Sequence, residues 1–267
     1  DACLVGSEMC IRDRIYTNSF SKMKPGTSRY ALMLGEDGMV KDDGIICKIS
    51  DEHFIATTTT GGAATVLGCM EEYAQTEWPN LNVYMNSITE QYATFNISGP
   101  KTRNIIEKVF PEVNFSNEAF PFMTFQFHEY EDTPIRILRA SFTGEMGYEI
   151  YVPSNQAQKI WEKIINFGKE FGLMPYGTET MHLLRAEKGY IIVGQDTDGS
   201  ITPLDLGLDW MIGKSKKDFL GKRSLIRSDT VRKDRKQLVG ILPINKNDRL
   251  EEGLSLIHIS EPTRQAS

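Results

Sequence analysis

Cysteine is scarce and unpatterned: Cys3, Cys10, Cys47 and Cys69 are the four in 267 residues, and no CxxC spacing joins any two. Neither a zinc site nor a disulfide scaffold is therefore expected. Basic charge is also short, with 30 Lys+Arg against 36 Asp+Glu and a net charge of −6. A nucleic-acid binder needs basic patches to neutralise phosphates, so that class is excluded. No apolar run approaches the roughly 20 residues that span a bilayer, which excludes a membrane-spanning helix. The opening Asp1–Gly6 lacks a basic segment and a long apolar core, so no secretory signal is read there and the cytoplasm is the expected compartment. A G-x-G-x-x-G motif is missing too, which argues against a dinucleotide-binding domain. What remains is 40% hydrophobic, 25% charged and 10% aromatic. That is an ordinary globular composition, enough for one large or two modest domains.

The two ends differ from the middle. Residues 1–14 hold two of the four cysteines without a period of 2 or 3.6, and residues 254–267 are similarly unpatterned. Both look like translated adapter sequence and are expected to be non-native tails that pack poorly. The middle, 15–253, is then a piece of a longer protein: a main region at 15–220, followed by a polar linker and the start of a further domain at 221–253.

Within the main region, Tyr30–Leu34 reads as a strand, Glu36-Asp37-Gly38 as a turn and Asp42-Asp43-Gly44 as a second turn before a strand at Ile45–Ile49. His53–Thr58 is a third β-branched run. After Gly61-Gly62 the period changes, and Val66, Leu67, Met70 and Tyr73 mark a helix. The scheme then repeats in type. A strand at Tyr92–Ile97 precedes a helix bearing Ile105, Ile106 and Val109. A hairpin of Pro134–Phe142 and Tyr148–Val152 turns around Thr143–Gly147. A helix that Ser154 can cap is expected to carry Ile160, Trp161, Ile164 and Ile165, and another should run from about Thr178 to Lys188. Strands and helices without a regular βαβ rhythm mean α+β. Trp161, Ile164, Ile165, Phe95 and Ile97 are expected in the core. Gln237–Leu242 is expected to open the next domain as a strand.

Four clusters could carry chemistry. Paired carboxylates at Asp42-Asp43 can hold a cation or perturb one another's pKa, although Asp-Asp-Gly is also good turn chemistry. Glu145 sits at a glycine-flanked tip where backbone can approach a ligand closely. Thr178, His182 and Arg185 share a helix face; Arg185 could bind a ligand carboxylate or form a structural ion pair. Gly194–Gly199 lacks the glutamate that would complete a calcium loop. A lone His182 without a second ligand at metal spacing leaves no metal site. None of the four identifies a function alone.

Taken in order, Tyr30–Asp43, Ser98-Gly99-Pro100, Arg139–Ile150, Arg185–Gly189, Ile201–Trp210 and Asp218–Arg223 resemble the folate-binding aminomethyltransferase family, typified by the T-protein of glycine cleavage. Pro121-Phe122-Met123, Pro175–His182 and Lys188–Gly199 look most like the branch formed by the α subunit of heterotetrameric sarcosine oxidase. The resemblance implies two intertwined antiparallel-sheet-plus-helix lobes, with a C-terminal β-barrel domain truncated. It also implies that Asp43, with Asp42, is the key acid, and that Tyr30, Thr59, Glu145 and Arg185 bind tetrahydrofolate. NAD and flavin would lie on missing parts or on partner subunits β, γ and δ. Phe142 stands where the T-protein often has Tyr, and Met181-His182 replace its Arg-Asp pair.

The implied chemistry is capture of the iminium from sarcosine oxidation, giving 5,10-methylenetetrahydrofolate. The rivals are a glycine cleavage aminomethyltransferase, the folate domain of a dimethylglycine dehydrogenase, and a non-catalytic folate-binding protein of iron–sulfur maintenance. The last is marked by Lys-Gly-Cys and Gly-Gln-Glu segments, whereas here Tyr190 follows Lys188-Gly189 and Asp196 follows Gly194-Gln195.

Overall fold

The computed structural model describes residues 2–6 and 12–248 other than 246, with the side chains of 2–6 and 12 left out. The expected tail at 254–267 lies outside the described residues. Five antiparallel strands form the first sheet: β1 (Ala2–Gly6), β2 (Ser28–Leu34), β3 (Val40–Lys48), β4 (His53–Ala56) and β5 (Val83–Ser87), in the order β2-β3-β4-β1-β5. A short helix α1 (Arg12–Ile15) precedes β2, and α2 (Ala63–Thr76) follows β4. The second sheet has β6 (Tyr92–Ser98), β7 (Phe125–Tyr130), β8 (Thr133–Leu138) and β9 (Gly147–Pro153), in the order β6-β9-β8-β7. Helices α3 (Thr102–Val109) and α4 (Ala157–Gly168) belong with it; α5 (Thr178–Lys188) and the short α6 (Ser228–Val231) come later.

The period-2 alternation of each strand assigns its faces. In the first sheet, Ala31, Met33, Ile46, Phe54 and Ala56 pack with Val66 and Met70 of α2. In the second, Ile97, Ile135, Ile137, Ile150 and Val152 pack with Ile105, Ile106 and Val109 of α3 and with Ile160 and Ile164 of α4. The opposite faces meet each other: Cys47 and Ile55 pack against Phe125, Leu138, Ala140 and Tyr151. The layers are thus helix, sheet, sheet, helix, an α+β architecture of two lobes as the sequence suggests. A fourth cluster joins Leu32, Leu34 and Val40 to Ile191, Leu206, Met211, Phe219 and Leu225. This ties the later loops to the β2–β3 hairpin.

Four expectations need correction. Asp42-Asp43-Gly44 is not a turn; all three residues lie inside β3, which pairs with β2 from Ser28↔Cys47 to Leu34↔Val40. Only Glu36-Asp37-Gly38 turns the hairpin, with Gly38 at φ 83°. Residues 1–14 do not all pack poorly, because β1 lies inside the first sheet, paired with β4 on one side and β5 on the other. A short unpatterned segment gains its order there from two neighbouring ladders rather than from its own period. Of the five expected core residues, Ile97 and Ile164 are buried and Phe95 and Ile165 half-buried. Trp161 is 41% exposed and leans on Phe95 from the lobe's surface, at 5.7 Å between ring centres. Finally, Gln237–Leu242 forms no strand, and residues 238–242 are exposed and irregular.

Candidate functional site

The β2–β3 register builds the site. Leu32 stands opposite Asp43 and Tyr30 opposite Ile45, so Tyr30 and Asp43 are diagonal neighbours on one face. The Tyr30 hydroxyl donates to Asp43 Oδ2 at 2.5 Å. This face is the one turned toward the second sheet and the Ile191–Leu225 loops. Asn18 braces Tyr30 from behind, donating to the Tyr30 carbonyl and accepting from the Leu32 N–H, both at 3.1 Å.

Asp42 follows the alternation to the other face, the side of α2, where Gly62 approaches so closely that a Cβ there would lie 2.9 Å from Asp42 Oδ1. The two carboxylates are therefore not a shared-proton dyad. Thr59 links them around the strand edge: its backbone N–H donates to Asp42 Oδ1 at 3.2 Å, and its hydroxyl donates to Asp43 Oδ1 at 3.4 Å. Gly44 makes that link possible, since a Cβ there would sit 1.9 Å from the Thr57 carbonyl oxygen. Thr57 in turn bonds Ile45 through its hydroxyl at 2.8 Å.

Burial disfavours both charges. Asp42 is 3% exposed and its pKa is pushed up to about 6, chiefly by burial, with the bond from Thr59 opposing and the Asp43 charge adding. Asp43 is raised by burial and held back by the bonds from Tyr30 and Thr59. The Tyr30 phenol is driven well up by burial and by Asp43, so it remains a hydrogen-bond donor throughout the ordinary pH range.

Arg185 and Glu145 stand apart from this group. Arg185 is buried and paired with Asp196; it also donates to the Tyr190 carbonyl at 3.0 Å, while its Nε has no partner. Asp196 accepts a further bond from the Ile192 N–H at 2.8 Å. Glu145 is exposed at its tip, with Ser141 bonding its carbonyl. Among the described residues, no hydrogen bond or ion pair joins either side chain to Asp43. Phe142 stacks on Tyr190 at 6.3 Å, and Ile191 packs with Leu32.

One carboxylate escaped the sequence reading. Glu149 lies on β9 opposite Leu138, on the face turned toward the first sheet. It accepts from the Tyr151 hydroxyl at 2.5 Å and is raised by burial. Arg136 covers the Tyr151 ring at 3.8 Å, and Cys47, on β3, is pushed up to about 12 by burial with a contribution from the Glu149 charge. Glu149 thus faces the same layer between the sheets as Ile45 and Asp43. The signal was available: in the alternation after Gly147, Glu149 falls between Tyr148 and Ile150 on the opposite face.

Three comparisons bear on this arrangement. The GCVT N-terminal domain family matches residues 8–216. Sarcosine oxidase subunit alpha of Corynebacterium sp. (strain P-1) is 50% identical over 246 residues, 92% of this chain and 25% of that protein. The same subunit of Rhizobium meliloti (strain 1021) is 39% identical over 247 residues, again 92% of this chain and 25% of the relative. The chain thus spans about a quarter of the length of these relatives. The crystal structure of glycine cleavage system aminomethyltransferase T from Bartonella henselae matches with a TM-score of 0.71 at 23% identity. It covers 84% of this chain and 58% of that one, and shows the fold.

Proposed function

Because the chain belongs to the GCVT N-terminal domain family, we propose that it is the one-carbon-accepting, tetrahydrofolate-binding part of a sarcosine oxidase α subunit. The observation that carries this reading is the Tyr30–Asp43–Thr59 cluster, a partly buried carboxylate held by two hydroxyl donors in the layer between the sheets. Its residues fit a pterin. Asp43 and Glu149 offer acceptors for ring N–H groups, and Ile45 and Leu138 supply apolar walls. Bound tetrahydrofolate would supply the amine nucleophile.

In this reading Asp43 accepts a hydrogen bond from that amine, orients its lone pair toward an incoming iminium, CH2=N+, and stabilises the positive charge during capture. A raised pKa suits Asp43 to take up the proton that the amine sheds. Tyr30 and Thr59 fix both carboxylate oxygens, so the acid needs little reorganisation. Asp42 acts at one remove by holding the Thr59 backbone. Arg185, paired with Asp196, supports the loop that packs on Leu32. The second folate nitrogen would then displace the iminium's own amine, which leaves as glycine with the proton that Asp43 took up. The product would be 5,10-methylenetetrahydrofolate, and the partners would be the oxidising subunits that release the iminium.

The test is Asp43→Ala in the full-length subunit assembled with those partners. Flavin reduction by sarcosine should stay near normal while product shifts from methylenetetrahydrofolate to free formaldehyde, capture slowing roughly 10²-fold. An unchanged methylenetetrahydrofolate yield would show that Asp43 is not the capture residue.

A further inference from the structure

On the far side of the β2–β3 hairpin, a cleft of about 510 Å³ opens between the hairpin and α2, lined among others by Glu36, Lys41, Asp42, Cys69, Glu72 and Tyr73. Three carboxylates face one ammonium there. Lys41 makes no ion pair among the described residues, and Glu36 is engaged by the Tyr73 hydroxyl at 2.7 Å. The inner wall holds an unfinished polar group. Asp42 is 3% exposed and commits Oδ1 to Thr59, but its Oδ2 is buried without a partner. The Tyr16 hydroxyl is also fully buried and without a partner, its pKa raised first by burial and then by the Asp42 charge. A carboxylate oxygen left bare in the interior costs stability unless something donates to it.

We propose that this cleft binds a small organic cation bearing N–H donors, a primary or secondary alkylammonium, with one N–H directed at Asp42 Oδ2 and the charge balanced by Glu36 and Glu72 at the rim. The site opens on the face of β3 opposite Asp43 and meets the folate reading only through the Asp42–Thr59 bond. An ammonium supplies what the wall lacks: a donor for the bare oxygen and a positive charge for the acidic excess. Its alkyl part would rest on Met33 and Val66, which also line the cleft. A buried water would satisfy Asp42 Oδ2 without balancing the rim, and Lys41 folding inward would do both.

The experiment uses the 267-residue chain and methylammonium chloride, followed by thermal shift and by backbone amide NMR signals of Thr59, Cys69 and Tyr73. Sodium chloride and tetramethylammonium chloride, a cation without N–H donors, serve as comparisons. Saturable stabilisation and signal shifts are expected with methylammonium alone. Asp42→Asn should weaken binding by about tenfold or more, and Glu72→Gln by a smaller factor. If Asp42→Asn does not fold, the paired rim variants Glu36→Gln and Glu72→Gln decide, with progressive weakening expected. Equal effects of all three salts, no saturation in a folded chain, or binding indifferent to these substitutions would overturn the proposal. Those results would leave a water or Lys41 as the occupant.

Discussion

Two buried polar clusters sit on either side of the segment 190–193, and they are built on opposite principles. Around Arg185, charge is compensated internally: the guanidinium meets Asp196, and Asp196 also takes the Ile192 amide. Around Asp43, two carboxylates are held by hydroxyl and amide donors and neither forms an ion pair among the described residues, and burial raises both. The first arrangement is what a fold needs to close a helix onto a loop. The second leaves negative charge uncompensated, and so ready for a positively charged partner or a proton. A buried charged residue is thus better judged by whether its neighbours cancel it than by its type.

The comparison is most severely tested by Arg185→Met. With Arg185 7% and Asp196 22% exposed, removing the cation strands a carboxylate in a loop core. The expected loss is about 3 kcal/mol in denaturant unfolding. A negligible loss would show the pair to be ornamental and free Arg185 for a ligand. Gly44→Ala comes next. Its Cβ would strike the Thr57 carbonyl, so β3 or the Thr57–Thr59 segment must move. The cost should be about 2 kcal/mol, and the amide signal of Thr59 should shift more than any in the second sheet.

Asp42→Asn should act with the opposite sign. A folded-state pKa raised from 3.8 to about 6 means that ionising Asp42 opposes folding. The penalty is absent below about pH 4, grows as pH rises toward 6 and is full above it. The neutral amide keeps an acceptor for Thr59, so the variant should be more stable at pH 7 by about 2 kcal/mol. Its stability should also depend less on pH between 4 and 6. A destabilised variant with an unchanged pH profile would mean that Asp42 is not charged against its surroundings.

Much of this was legible in the sequence, and the misses have physical causes. The helices after Gly61-Gly62, Pro100 and Ser154 announce themselves by apolar period, and Gly189 ends α5 in the left-handed conformation at φ 83°. Asp42-Asp43-Gly44 misleads because the same residues that favour a turn are here a strand whose glycine admits Thr57. The pairing of Tyr30 with Asp43 depends on hairpin register, which turn chemistry sets but residue type does not. Glu145 attracts notice because glycines flank it. Glu149 is hidden in a β-branched and aromatic run, although its alternation gives its face. Strands β5 and β7 were not anticipated; in β7, Phe125 is buried and Phe127 exposed, too weak an alternation to announce a strand.

The contrast between the two clusters is settled most directly by tetrahydrofolate affinity, measured by equilibrium fluorescence titration of the folded chain and of Asp43→Ala and Asp196→Ala. Losing the Asp43 acceptor should weaken binding about tenfold or more, while Asp196→Ala should lower thermal stability and leave the affinity of the folded fraction unchanged. Undiminished affinity in Asp43→Ala, or an equal loss in both variants, would contradict the assignment of Asp43 to the site and Asp196 to the scaffold.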